Sequence, residues 1–249
     1  SMARLTLPRI SLLILVTLLS INPAFSQSDL NEALLLASPG AIAANPELSA
    51  HMNTIAEAVI SEHCAACHGT DLTGQTGVPN LVDFDWLWGV TGFEMTATEA
   101  VMEIMQTILY GVRDTDCPEE SKRYGACPDT RFPEMPAYTS LDFSQSKIND
   151  FTEYVLFISG RDADEKAVVR AQNDWEICSE CHGDDGYGYK PFGGPDLTDD
   201  IWLFGDSREQ ILDVISNGRT ESCPAWSTRL DMVSIKALSV TIYNRSMGY

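Results

Sequence analysis

Cys64-Ala65-Ala66-Cys67-His68 and Cys178-Ser179-Glu180-Cys181-His182 decide the reading of this chain. Cys-x-x-Cys-His is the attachment pattern of c-type haem: two thiols form thioethers to the haem vinyl groups, and the adjacent imidazole is placed to ligate the iron. A bare Cys-x-x-Cys would also suit half a zinc site or a thiol redox pair. Neither of those needs the trailing His, and two of the chain's four His stand at these positions. The sequence therefore points to two covalently attached haem c groups, on Cys64 and Cys67 and on Cys178 and Cys181, with His68 and His182 as iron ligands.

The motif brings its surroundings with it. Pro79-Asn-Leu-Val-Asp-Phe-Asp-Trp-Leu-Trp-Gly89 returns as Pro195-Asp-Leu-Thr-Asp-Asp-Ile-Trp-Leu-Phe-Gly205, offset by 116 residues against 114 at the cysteines. One long-period repeat of this kind is a duplicated domain and not a solenoid of small units. Trp86 and Trp202 suit either an ordinary core or the apolar shell that a haem requires.

A chain of 249 residues has room for two small domains. Residues 1–26 read as a secretory signal peptide: Arg4 and Arg9, an apolar run from Ile10 to Ile21, and the small-residue site Ala24-Phe25-Ser26. That run is short for a membrane span, and no other segment is apolar enough, so the expectation is a periplasmic protein with no transmembrane segment in the mature chain. The formal charge is −20, and losing the two Arg of residues 1–26 makes it −22. Such acidity argues against nucleic acid as a partner and suits redox partner proteins with a basic docking face, or plain solubility.

Apolar residues at helical spacing predict helices over Pro46–Cys67, Glu99–Tyr110, Gln145–Ser159, Asp164–Cys181, Arg208–Ser216 and Leu230–Asn244. Residues 27–45 read as a loose leader, His51 as exposed, and His63 as solvated or at a haem edge. The division expected is residues 46–160 for one domain and 161–249 for the other, each mainly α and too small to bury a core without its haem.

Each half resembles a class I cytochrome c domain, and the chain resembles the dihaem subunit of cbb3-type oxidases. His-Gly-x-Asp after each motif, Pro195–Gly205, Asn217-Gly-Arg219 and Pro224-Ala-Trp226 carry the likeness, over about residues 50–249. The resemblance implies tandem cytochrome c domains, each with its own C-terminal helix packed on its first helix, and a place as a subunit of a larger redox complex. That subunit has a transmembrane anchor, which this sequence does not show beyond its signal segment.

The resemblance also implies a Met-Pro sixth ligand after each middle helix. In Phe132-Pro-Glu-Met135-Pro136 it gives Met135 to the first haem. In the second half the matching position is Cys223, in Ser222-Cys223-Pro224, which would make the second haem His/Cys. Axial-ligand choice moves haem potentials over about 0.8 V, and a thiolate lowers them, so electrons would run from haem 2 to haem 1. Three other arrangements stay open: an unbound Cys223 beside a five-coordinate haem, Met232 as ligand, or Cys223 in a disulfide. Seven Cys less four on haem leave Cys117, Cys127 and Cys223. Pairing Cys117 with Cys127 inside the insertion 114–131 leaves Cys223 free for iron.

The function expected is electron transfer between a redox enzyme and a downstream acceptor, with no catalytic residues. An oxidoreductase working at a His/Cys haem 2, resembling thiosulfate-oxidising dihaem cytochromes in ligand type only, is the alternative; Arg219 and Arg229 are the cations it could use. A ligand-exchange sensor is the third reading.

Overall fold

The structure is a computed structural model and describes residues 26–88, 95–123 and 125–248. Residues 1–25, within the stretch read as a signal peptide, and Gly89 of the repeat lie outside the described residues. The helices are α1 (Gln27–Leu36), α2 (Pro39–Ala43), α3 (Pro46–Val59), α4 (Ala65–His68), α5 (Ala97–Tyr110), α6 (Gln145–Ile158), α7 (Glu165–Gln172), α8 (Glu176–His182), α9 (Arg208–Asn217) and α10 (Met232–Ser246). One wide π-type turn, Ile60–Cys64, joins α3 to α4.

Local chemistry sets these limits. The middle helices of the two repeats are closed alike at both ends. Thr96 and Glu99 form a reciprocal capping box on α5, and Ser207 and Gln210 form one on α9. Gly111 and Gly218 end them at φ of +74° and +68°, a backbone state that costs other residues energy. Asn45 caps α3 ahead of Pro46 at its first position. The helix expected over Asp164–Cys181 is two: α7 stops after Gln172, and α8 restarts at Glu176.

Residues 27–45 are not loose. Ser26 caps α1 through a capping box, and Pro39 opens α2. Leu34 and Ile42 are fully buried with Leu48, Met52 and Val101. His51, expected to be exposed, is buried beneath α1, with Asn31 Oδ1 at 2.7 Å and Gln27 Nε2 at 3.1 Å from its ring nitrogens. The leader thus covers α3 and supplies the polar partners that a buried imidazole needs.

The division at residues 160 and 161 does not match the packing. α10, the last helix, packs on α3 and α5. Its Ala237 and Val240 lie in the core with Met52 and Val101, and Leu238 and Ile242 lie with Ile60, Leu72 and Ile104. Arg245 of α10 pairs with Glu57 of α3, 188 residues away. Conversely, α6 packs on α7 and α9, with Phe151 and Val155 against Val168, Trp175, Ile211 and Ile215. Each repeat therefore donates its last helix to the other. The first unit is α1–α5 plus α10; the second is α6–α9.

The arms that make this exchange meet where they cross. Val112 and Cys223 exchange two backbone hydrogen bonds of 2.9 Å, and Arg219 N–H donates to Met135 O at 2.9 Å. The Arg113 guanidinium clamps both arms, donating to Pro133 O and to Glu221 O at 2.6 Å each. Among the described residues, no helix is long and apolar enough to cross a membrane.

Candidate functional site

The two Cys-x-x-Cys-His motifs occupy equivalent places, each closing a short helix. In α8 the spacing of three puts Cys178 and Cys181 on one helix face, whereas Cys64 ends the π-type turn directly ahead of α4 and Cys67 lies within α4. Gly69 (φ +79°) and Gly183 (φ +78°) then turn the chain away directly after His68 and His182. Each imidazole is fixed by the repeat's proline: Nδ1 of His68 lies 3.0 Å from Pro79 O, and Nδ1 of His182 lies 3.0 Å from Pro195 O. A carbonyl only accepts, so Nδ1 carries the proton and Nε2 keeps its lone pair for a metal. Burial pushes both imidazole pKa values down against the carbonyl bond, which holds the rings neutral, as an iron ligand must be.

The shells around the motifs are apolar. Cys64 packs on the core that holds Ile60, Leu72 and Ile104, against which Leu81, Val82, Trp86 and Ile108 also pack. Cys178 packs on the core that holds Tyr138, Tyr154 and Trp175, against which Leu197 and Trp202 also pack. Trp86 and Trp202 are held alike, their indole N–H donating to Asp83 O and Asp199 O at 3.0 and 2.9 Å. Burial raises the Cys64 thiol to about 11 and the Cys178 thiol to about 12. These thiols are thus kept un-ionised inside an apolar wall, unlike the depressed thiols of reactive redox pairs. The donor sets fit haem c, whose iron supplies one-electron chemistry when bound. Among the described residues, no cluster of His, Cys, Asp and Glu would hold a bare metal ion.

The two sulfurs expected as sixth ligands lie at the opposite motifs from those expected. Met135 packs against the second cluster with Cys178, Leu197 and Trp202. Cys223 lies within electrostatic reach of Cys64 and Cys67; burial first, then these thiols and Asp114, raise it to about 11. Repeat logic assigns each loop to its own half, and the crossing of the arms reverses that. Met232 opens α10 in the first unit and is 46% exposed. The sulfurs of Cys117 and Cys127 stand at bonding distance, and Cys223 is a free thiol. Sequence reasoning named Trp226 and His63 but missed their contact: His63, next to Cys64, meets the Trp226 ring with centroids 5.1 Å apart. The equal spacing of Tyr138 after Met135 and Trp226 after Cys223 was a signal that could have found it.

Residues 166–240 match the family described as cytochrome C oxidase, cbb3-type, subunit III. The cbb3-type cytochrome c oxidase subunit CcoP of Cereibacter sphaeroides is 35% identical over 216 residues, 84% of this chain and 66% of the relative. The subunit FixP of Bradyrhizobium sp. ORS 278 is 35% identical over 229 residues, 89% and 71% of the two chains. CcoP of Rhodobacter capsulatus is 36% identical over 227 residues, 87% and 69%. The chain spans about two thirds of the length of these curated relatives. Its two attachment centres, its helical fold and this likeness agree: the chain is a c-type cytochrome that holds two covalently attached haems, and it belongs to the CcoP/FixP family of cbb3-type cytochrome c oxidase subunits.

Proposed function

We propose that this chain passes electrons through two haems, bound at Cys64, Cys67 and His68 and at Cys178, Cys181 and His182, to the remaining subunits of a cbb3-type oxidase. The observation that carries the reading is the repeated Nδ1 contact of His68 and His182 with Pro79 and Pro195. It leaves two equivalent imidazole lone pairs, each beside the two cysteines of its own motif. The alternative of an anion-oxidising enzyme draws no support from the cations near Cys223. Arg219 is paired with Asp213 and Arg229 with Asp116, each at 2.6 Å.

The matured protein should carry two alkali-stable haems per chain by pyridine haemochrome assay and should exchange electrons rapidly with a basic small cytochrome. With a formal charge of −20 on the chain, the second-order rate should fall at least several-fold as ionic strength rises from 0.01 to 0.15 M, where the screening length shortens from about 30 to about 8 Å. A rate indifferent to salt would remove the acidic surface from the docking argument.

The same reading places the protein in an oxidising, exported compartment, where Cys117 and Cys127 form a disulfide closing the loop of residues 117–127. A closed loop of this length contributes about 3 kcal/mol through the unfolded chain. The Cys117→Ser, Cys127→Ser double variant should lose about that much in denaturant unfolding, with both haem spectra unchanged. An unchanged midpoint, or no loss of free-thiol reactivity on maturation of the native chain, would count against the bond.

A further inference from the structure

We infer that an outside redox protein docks at the second attachment motif and not at the first. Ile177, Tyr187, Tyr189 and Phe192 form an apolar landing surface inside an acidic rim, which fits a small lysine-rich cytochrome. The inference rests on the dihaem reading above and deepens it, because it assigns exchange with an outside protein to one of the two motifs.

The two repeats differ where they should be alike. After each motif a glycine N–H returns to the histidine carbonyl: Gly74 donates to His68 O at 2.9 Å, and Gly188 to His182 O at 2.8 Å. The loops are therefore in register at an offset of 114. In that register Thr73 and Gln75 stand in the first loop where Tyr187 and Tyr189 stand in the second, and His63 precedes its motif where Ile177 precedes the other. The second loop is also two residues longer before its proline, and the turn Lys190–Phe192 lies in that longer stretch.

These side chains face solvent. Tyr187 is 64% exposed, Phe192 52%, Tyr189 47% and Ile177 40%. The Tyr189 and Phe192 rings meet with centroids 5.4 Å apart. Phe132, exposed on the crossing arm, lines the same cavity of about 240 Å³ as Phe192, so the apolar surface continues onto that arm. Scattered apolar residues on a surface need no explanation, but a contiguous aromatic group is what the centre of a protein interface concentrates. The loop also lies on the motif itself: Tyr187 and Tyr189 flank Gly188, and a Cβ on Gly194 would strike Cys181 O. A thioether-bound haem has one edge at its cysteines, so this surface is the nearest exit for an electron.

Charge selects the partner. Residues 174–192 carry Asp174, Glu176, Glu180, Asp184 and Asp185 against Lys190, and all five acids are exposed. Such a rim draws in a basic protein and orients it over the aromatic centre. The first motif offers no equal surface. The tip of its loop is taken up by the second unit, where Gly77 donates to Leu203 O at 2.9 Å, and its exposed Thr73 and Gln75 are polar. The exchange moves one electron between a ferrous iron in one protein and a ferric iron in the other; no bond or proton changes hands.

The test uses the matured native chain and a lysine-rich small cytochrome c. Fewer than two haems would refute the dihaem reading, and the docking surface with it. With two haems present, stopped flow at low ionic strength gives the second-order rate of electron exchange. A Tyr187→Ser, Tyr189→Ser, Phe192→Ser variant should slow it about tenfold, with both haem potentials and the rate of reduction by a small neutral mediator unchanged. A Glu180→Lys, Asp184→Lys pair should also slow it about tenfold and flatten its salt dependence. Glu32→Lys with Glu62→Lys changes the net charge equally, away from the second motif, and should slow it less than about twofold. Where the serine variant fails to accumulate, the two charge-reversed pairs decide. Equal slowing by both pairs would overturn the surface. So would a serine variant that exchanges electrons at the native rate but no longer assembles with the other oxidase subunits, since the aromatic face would then be a subunit contact.

Discussion

Phe151→Ala should loosen the second haem unit and leave the first intact, although Phe151 lies upstream of the second motif and within the first repeat. Its ring is 1% exposed, in a core shared by α6, α7 and α9. Truncating a buried Phe costs about 3–5 kcal/mol, because the cavity collapses only in part. The reciprocal change, Leu238→Ala in α10, removes a 2% exposed side chain packed with Ile60, Leu72 and Ile104, and should cost the first unit about 2–5 kcal/mol. Hydrogen exchange read by mass spectrometry separates the two. Phe151→Ala should speed exchange in α7 and α9, and Leu238→Ala in α3 and α5. If each substitution loosened its own repeat instead, the exchanged arrangement would be wrong.

Gly194→Ala should damage the second unit to a similar degree, and at its attachment motif. A Cβ there would stand 1.6 Å from Cys181 O and 2.4 Å from Cys181 C. Both are backbone atoms of the attachment motif, so no side-chain rotation relieves the contact. The loop must back away by more than an ångström, and Pro195 O, the acceptor for His182, must move with it. Overpacking of this kind costs about 3 kcal/mol, beyond the loss of the imidazole's orienting bond at about 1 kcal/mol. The expected result is a sharp fall in haem attachment at Cys178 and Cys181, with the first haem retained. Gly40→Ala is the matched control. Its Cβ would meet nothing within 4 Å inside α2, and it should be neutral or stabilise by about 0.4–1 kcal/mol. Equal yields from the two variants would refute the close approach.

What the residues reveal differs from element to element. The attachment motifs and their histidines are legible because covalent chemistry demands fixed residue types at fixed spacing. The middle helices are legible from their apolar spacing and terminal glycines. The pairing of α6 and α10 is not legible, because both carry an apolar face fit to pack on a first-and-middle helix pair. Two repeats of one plan present two interchangeable docking faces. Only the long arm of residues 112–137 and the return arm after Gly218 decide between them, and neither has a periodic pattern. The same limit explains Met135 and Cys223: their type and loop context are readable, but their destination depends on the crossing. Residues 27–45 misled because their buried contacts, Leu34 and Ile42, are sparse, and because the need for α1 lies in His51, a residue in another helix.

The crossing of arms also orders the birth of the molecule. Every helix of the second unit has been synthesised once Asn217 is made, whereas the first unit waits for α10, whose Arg245 meets Glu57 across 188 residues. Closing such distant contacts is the slow part of folding. A chain delivered from its N-terminus therefore completes its second haem unit first, and holds its first attachment motif open, within reach of the haem-attachment machinery, until the last helix arrives.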